Sequence, residues 1–185
     1  LEASKAFAKD FMRRHAIPTA KYEIARSRQE AIEILRSEQF GDENTPIVVK
    51  ADGLAAGKGV IVAQNKVEAE NAINELTAGD LISREAADKI VLEEYLTGRE
   101  VSLLLFADGK NFVLMPPVRD HKRIFENDLG ANTGGMGTLC DDGLISQEQK
   151  TEIVEKIIKP TLEGARRDGF EFRGILFLGL MMTPE

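Results

Sequence analysis

Apolar residues recur along this chain at helical spacing, at strand spacing and in short unbroken runs, and these rhythms predict most of its elements. Ala6, Phe7, Phe11 and Met12 fall on one face of a helix that Ser4 can cap and that runs to about Arg14. "HAIPTA" ends it, and "KYEIA" follows as a short strand. Ser27 and Glu30 have capping-box spacing ahead of a helix over "RQEAIEILRSEQF". "PIVVKA" and "GVIVA" read as strands on either side of a glycine-rich turn, and Asn65 with Glu68 starts the helix "KVEAENAINEL". "KIVLEEYL" and "REVSLLLFA" are strands, and Asp108-Gly109 turns the second into "NFVLMPP" as a hairpin. Ser146 and Gln149 open a helix over "EQKTEIVEKIIKPTLEGARRDG", in which Pro160 should cause a kink or a break. "GILFLGLMM" is the last strand. After the first helix the order is β-α-β-β-α-β-β-β and then α-β. That order predicts an α+β fold rather than a regular parallel sheet.

The turn inside "VVKADGLAAGKGVIVA" invites a phosphate, but it is not a P-loop. A P-loop needs four residues between its glycines and a hydroxyl after Gly-Lys. Here three residues separate Gly53 from Gly57, and Gly59 follows Lys58. A dinucleotide fingerprint fails as well, because that loop opens a helix whereas "GVIVA" is a strand. What remains is a hairpin with Lys50 on its first arm and Lys58 near its tip. Glycine-exposed backbone N–H groups and a lysine can hold an anion there, or the lysines can simply be solvated.

Composition narrows the setting. Hydrophobic residues at 43% and charged residues at 30% are the balance of a soluble globular protein. The formal net charge of −7 argues against general nucleic-acid or anionic-membrane binding, so any anion site must be a local positive pocket. The single cysteine, Cys140, allows no internal disulfide and points to a reducing, cytoplasmic compartment. No apolar run reaches membrane-spanning length. The chain begins and ends as though cut from a longer protein.

Two further stretches could carry chemistry. "RDHKR" at 119–123 is the densest positive cluster, and "ANTGGMG" at 131–137 follows closely enough to share an anion with it; a solvated loop is the alternative. Glu93, Glu94 and Glu100 lie at the end of an apolar strand, where backbone groups could read a base and carboxylates could accept from an amine or a ribose. The alternative there is an exposed strand terminus. His15 is explained by the last turn of a helix, and two histidines make no histidine-based metal site. Met181 and Met182 read as core.

Four segments taken in order, "SKAFAKDFMRRHAIPTA", "VVKADGLAAGKGVIVA", "VLEEYLTGREVS" and "DHKRIFENDLGANTGGMG", resemble the glycinamide ribonucleotide synthetase (phosphoribosylamine–glycine ligase) family of ATP-grasp enzymes. The likeness covers nearly the whole chain, with "SKAFAKDFM" and "IIKPTLEGARRDG" closest to the eukaryotic multifunctional forms. It implies an ATP-grasp fold, two α+β lobes clamping ATP, incomplete at both ends. Residues 20–92 would form the lid lobe, and 1–19 with 93–185 part of the larger one. It also implies a ligase that joins glycine to 5-phosphoribosylamine through glycyl phosphate in purine biosynthesis. Another ATP-grasp ligase or a non-catalytic ATP-binding module are the alternatives.

By the same resemblance, Lys5 and Lys50 contact ATP phosphates, and the 53–59 loop, with Gly53, Gly57, Lys58 and Gly59, becomes a mobile phosphate lid. Glu93, Glu94, Tyr95 and Leu96 match the adenine hinge, and Glu100 the residue on the ribose hydroxyls. Arg123 and Asn132 match the phosphate-transfer centre. Asp120, His121, Lys122, Thr133, Gly134, Gly135 and Gly137 line the adjoining substrate site. ATP with Mg2+ or Mn2+ is the implied cofactor; the family's Glu and Asn metal ligands are expected beyond Glu185. Implied partners are glycine, 5-phosphoribosylamine and ATP, with fusion to other purine-pathway enzymes left open, and the piece alone is expected to be inactive. The sequence departs from the family at Arg119, where Gln is usual, at Ala131, where Pro is usual, and over "TLCDDG".

Overall fold

Antiparallel pairing builds each sheet of the computed structural model, which describes residues 1, 3–53, 59–78, 89–126 and 129–184. By internal contacts the chain forms two compact units, Leu1–Phe11 with Thr19–Tyr95 and Met12–Pro18 with Leu96–Glu185. The first eleven residues therefore stand with the residues that follow Thr19, where the sequence reading had grouped 1–19 with 93–185. The physical reason is local. Asp52, at the end of a strand in the first unit, accepts from the Ser4 hydroxyl and the Ala6 N–H and so caps helix α1 (Lys5–Arg14).

The first unit holds a four-stranded sheet in the order β1 (Tyr22–Ala25), β4 (Ile90–Glu94), β2 (Ile47–Ala51), β3 (Val60–Ala63). Strand β4 is interior to the sheet and buried from Ile90 to Glu93, which is why it reads as an unbroken apolar run before the two glutamates. Helices α2 (Arg28–Arg36) and α3 (Lys66–Ala78) pack on the sheet, and Ile32, Leu35, Ile47, Val49, Ile73, Leu76, Ile90 and Leu92 make the core. Ser27 caps α2 by accepting from the Glu30 N–H at 3.1 Å, while the Glu30 carboxylate accepts from the Arg26 N–H at 2.7 Å. The helix stops at Arg36 and not at Phe40 as expected, because Glu38 takes a left-handed φ of 60°.

In the second unit β5 (Arg99–Asp108) and β11 (Arg173–Met182) pair along their whole length, from Arg173 opposite Asp108 to Met182 opposite Arg99. The sheet runs β10 (Thr138–Cys140), β7 (Val118–Asp120), β5, β11, and β6 (Phe112–Leu114) also pairs with β5. Buried Val101, Leu103 and Leu105 alternate along β5. The predicted hairpin at Asp108-Gly109 is present, whereas Met181 and Met182 are only partly buried. Ser146 and Gln149 make a complete capping box for α4 (Gln147–Ile153). One π-helical turn, Val154–Ile158, then leads into α5 (Lys159–Arg167). Pro160 has no N–H for the carbonyl of Lys156, and its ring would strike that carbonyl in a regular helix; the wider turn accommodates it. The expected loop at 119–123 is largely strand: it runs from β7 into β8 (Arg123–Phe125), which pairs with β9 (Leu129–Asn132).

Candidate functional site

Within the first unit, three lysines and two carboxylates gather where α1 meets the ends of β2 and β4. The Lys5 N–H donates to the Asp52 carbonyl at 3.1 Å, and Lys5 Nζ donates to the Gly53 carbonyl at 2.9 Å. Helix α1 is thus fastened at its amino end to the start of the glycine-rich turn. Lys50, on β2, brings its Nζ to 2.8 Å from Glu93 Oε1, and Lys9, one turn after Lys5 on α1, places its Nζ 3.0 Å from Glu93 Oε2. Gly59 closes the hairpin by accepting from the Ala51 N–H at 2.8 Å. Gly57 and Lys58 lie outside the described residues.

Glu93 is not the solvent-exposed strand terminus that the residue pattern left open: its side chain is 6% exposed. Its Oε1 meets Lys50 as a charge pair outside hydrogen-bonding angles, so this buried oxygen keeps an acceptor position without a donor. Burial pushes the Lys5 and Lys9 ammoniums down from the usual lysine range, and Asp52 and Glu93 respectively act against that. Glu94, next along, accepts from the Lys21 N–H at 2.6 Å and joins the strand end to β1. Tyr95 is 40% exposed.

Sequence reasoning missed Lys9 and Asp52. The spacing from Lys5 to Lys9 puts both on one helix face beside the apolar positions, and that was the available signal. Asp52 lies within "VVKADG" but carries no capping signal; the fold shows it accepting from the Ser4 hydroxyl and the Ala6 N–H, while Ser4 caps α1 as expected by accepting from the Phe7 N–H at 3.0 Å.

Within the second unit the structure brings the two suspected phosphate stretches together. The Thr133 N–H and hydroxyl both donate to the Lys122 carbonyl, at 2.7 and 2.9 Å. The Met136 N–H donates to the His121 carbonyl at 2.7 Å, and the His121 N–H to the Gly137 carbonyl at 3.0 Å. Gly135 has a φ of 118°, and a Cβ there would stand 3.2 Å from Asp120 Oδ1, so glycine suits this close return. Lys122 Nζ lies 3.7 Å from the Glu100 carboxylate, a loose and exposed pair, and Arg123 donates to the Gly130 carbonyl at 2.6 Å. Gly134 and Gly137 are exposed. The backbone of Asn132 pairs with Arg123, while its side chain is outside the described residues. His15, expected at the surface or on a helix dipole, is largely covered and sits 3.1 Å from Asp168. Cys140 is free and exposed.

Comparison with known proteins shows the family. The model of the phosphoribosylglycinamide synthetase ATP-grasp (A) domain matches residues 3–185. A phosphoribosylamine–glycine ligase of Haemophilus influenzae is 46% identical over 185 residues, all of this chain and 42% of that protein. The human trifunctional purine biosynthetic protein adenosine-3 is 45% identical over 185 residues, all of this chain and 18% of that protein. These two identities do not separate bacterial from eukaryotic forms. The crystal structure of a phosphoribosylamine–glycine ligase from Thermotoga maritima superposes with a TM-score of 0.87 at 38% identity, covering 99% of this chain and 45% of that one. The chain therefore spans less than half the length of these relatives.

Proposed function

Since the chain belongs to the phosphoribosylglycinamide synthetase family, within its ATP-grasp domain, we propose that the protein of which it is part is a phosphoribosylamine–glycine ligase. In this reading ATP transfers its γ-phosphoryl group to the glycine carboxylate. The amine of 5-phosphoribosylamine then attacks the acyl carbon of glycyl phosphate, and inorganic phosphate leaves. Such a reaction needs cations held over the charge that builds during transfer. One observation carries the assignment: Lys5 and Lys50, far apart in sequence, are fixed by Gly53 and Glu93 in the same unit.

Lys5 and Lys50 then bind ATP phosphates, with Gly53 and Gly59 flanking the turn. Glu93 to Leu96 read the base, where strand-end backbone groups and carboxylates can accept from an exocyclic amine. Glu100 takes the ribose. Arg123 and Asn132 serve the transfer centre, and residues 120–122 and 133–137 the substrate. The smaller lobe is residues 20–92 together with the first turns of α1. Mg2+ would accompany the nucleotide; among the described residues no three His, Cys, Asp or Glu side chains stand together. A reducing cytoplasm suits the free Cys140. A trifunctional human relative supports fusion to other purine-pathway enzymes. Among the described residues no helix is long and apolar enough to cross a membrane.

Calorimetry with ATP tests the assignment. Lys50→Ala should weaken binding by about 1.5–3 kcal/mol, the worth of a charge-assisted contact. Unchanged affinity removes Lys50 from the site. ATP binding by the full-length protein without glycine-dependent phosphate release would reduce the reading to a binding module.

A further inference from the structure

Lys9 lies within the "SKAFAKDFM" stretch, where the resemblance gives it no role, and it is the most buried of the three clustered lysines. Its side chain is 8% exposed against 24% for Lys50. A buried ammonium is costly unless its hydrogens are taken up, and here they are. Lys9 Nζ donates to the Thr19 hydroxyl at 2.7 Å, reaches the Ala20 carbonyl at 3.5 Å, pairs with Glu93 Oε2 at 3.0 Å and lies 5.4 Å from the centre of the Tyr22 ring. No donor is left to turn toward a ligand, which sets Lys9 apart from Lys50.

Glu93 consequently has two unlike oxygens. Oε2 is held by Lys9, while Oε1 is buried against Lys50 as a charge pair without a hydrogen bond. Without Lys9 the full carboxylate charge would fall on Lys50 alone and draw that ammonium away from any phosphate. We propose that Lys9 is a positioning residue of the nucleotide site: by neutralising and orienting Glu93 it keeps the Lys50 ammonium available to an anion. This rests on the ATP-binding role given above to Lys50. The charges around Lys9 are Glu93, Lys50 and Glu94, and Lys5 with Asp52 completes the cluster.

The test compares wild type, Lys9→Met and Lys9→Arg by two readouts. The first is ATP affinity by calorimetry. The second is the titration of Lys50, followed by NMR of protein labelled at the lysine ε-carbon and assigned with Lys50→Arg. Lys9→Met should bind ATP about 10-fold more weakly and titrate Lys50 at higher pH, because a neighbouring positive charge is gone. Lys9→Arg should restore both toward wild type. A folded Lys9→Met with wild-type affinity and an unmoved Lys50 overturns the proposal, as does a Lys9→Arg that resembles Lys9→Met. If Lys9→Met does not fold, the wild type decides: Lys9 and Lys50 curves that deviate together uphold the coupling, and independent simple curves overturn it. Absence of ATP binding by the wild type would instead defeat the nucleotide reading, and the Lys50 titration would still report on Lys9.

Discussion

At the scale of single residues, the legible part of the site was the part that motifs advertise. Lys5 and Lys50 could be picked out from "SKAF" and "VVKADG", and the structure sets both in one cluster. Their supports were not legible, because support is a matter of which side chain a neighbouring element happens to deliver. Asp52 shows this best: its carboxylate serves a helix 46 residues earlier. Asp52→Ala should lower stability by about 0.5–2 kcal/mol, the usual worth of a helix cap, and should weaken ATP binding by loosening Lys5. Asp52→Asn keeps an acceptor for the Ala6 N–H and should lose less. Denaturant unfolding and calorimetry on the two variants measure this; equal losses would mean that charge rather than capping is what Asp52 supplies.

At the scale of elements, caps and long periodic runs were readable, whereas short strands were not. Ser27, Asn65 and Ser146 each announced a helix, and each caps one. The pieces β7, β8, β9 and β10 span only three or four residues of mixed polarity, too short for alternation to stand out from a loop. They exist because partners deliver the pairing, as when Thr138 falls opposite Asp120. Local propensity can also mislead about substitutions. Gly164 lies inside α5, where alanine would ordinarily gain about 1 kcal/mol. A Cβ there would come within 2.6 Å of the His15 ring. Gly164→Ala should therefore destabilise, by about 1–3 kcal/mol for overpacking. A thermal melt reads the sign, and a raised melting temperature would show that His15 gives way.

For the molecule as a whole, acid stability draws on carboxylates held in turns, at a helix cap and beside an arginine. Hydrogen bonds from Asn111 and then Lys110 hold the Asp108 carboxyl down to about 2, from an ordinary 3.8. Asp42 and Glu148 are lowered too, by hydrogen bonds within their own turn and cap, and Glu171 is lowered by the Arg173 guanidinium. A carboxylate lowered in the folded state contributes stability above its unfolded value and loses it as pH falls through the folded one. The denaturation midpoint should thus fall between about pH 4 and pH 2, and Asp108→Asn should make that limb shallower; superimposable limbs would dismiss the contribution of the turn. The α+β class followed from element order alone, because helices and hairpins alternate too irregularly for a parallel sheet. The pairing of β5 with β11 did not, since nothing in either strand names a partner so distant. That ladder has a consequence for how the protein is made. One side of β5 is taken early, by β6 and β7, but its other side has no partner until Arg173–Met182 has been synthesised. At about 5–20 residues per second the strand waits for seconds, with half its backbone groups open to water and to other nascent chains. The last pairing step in this unit therefore waits for β11, and the open edge of β5 is where a chaperone would be needed most.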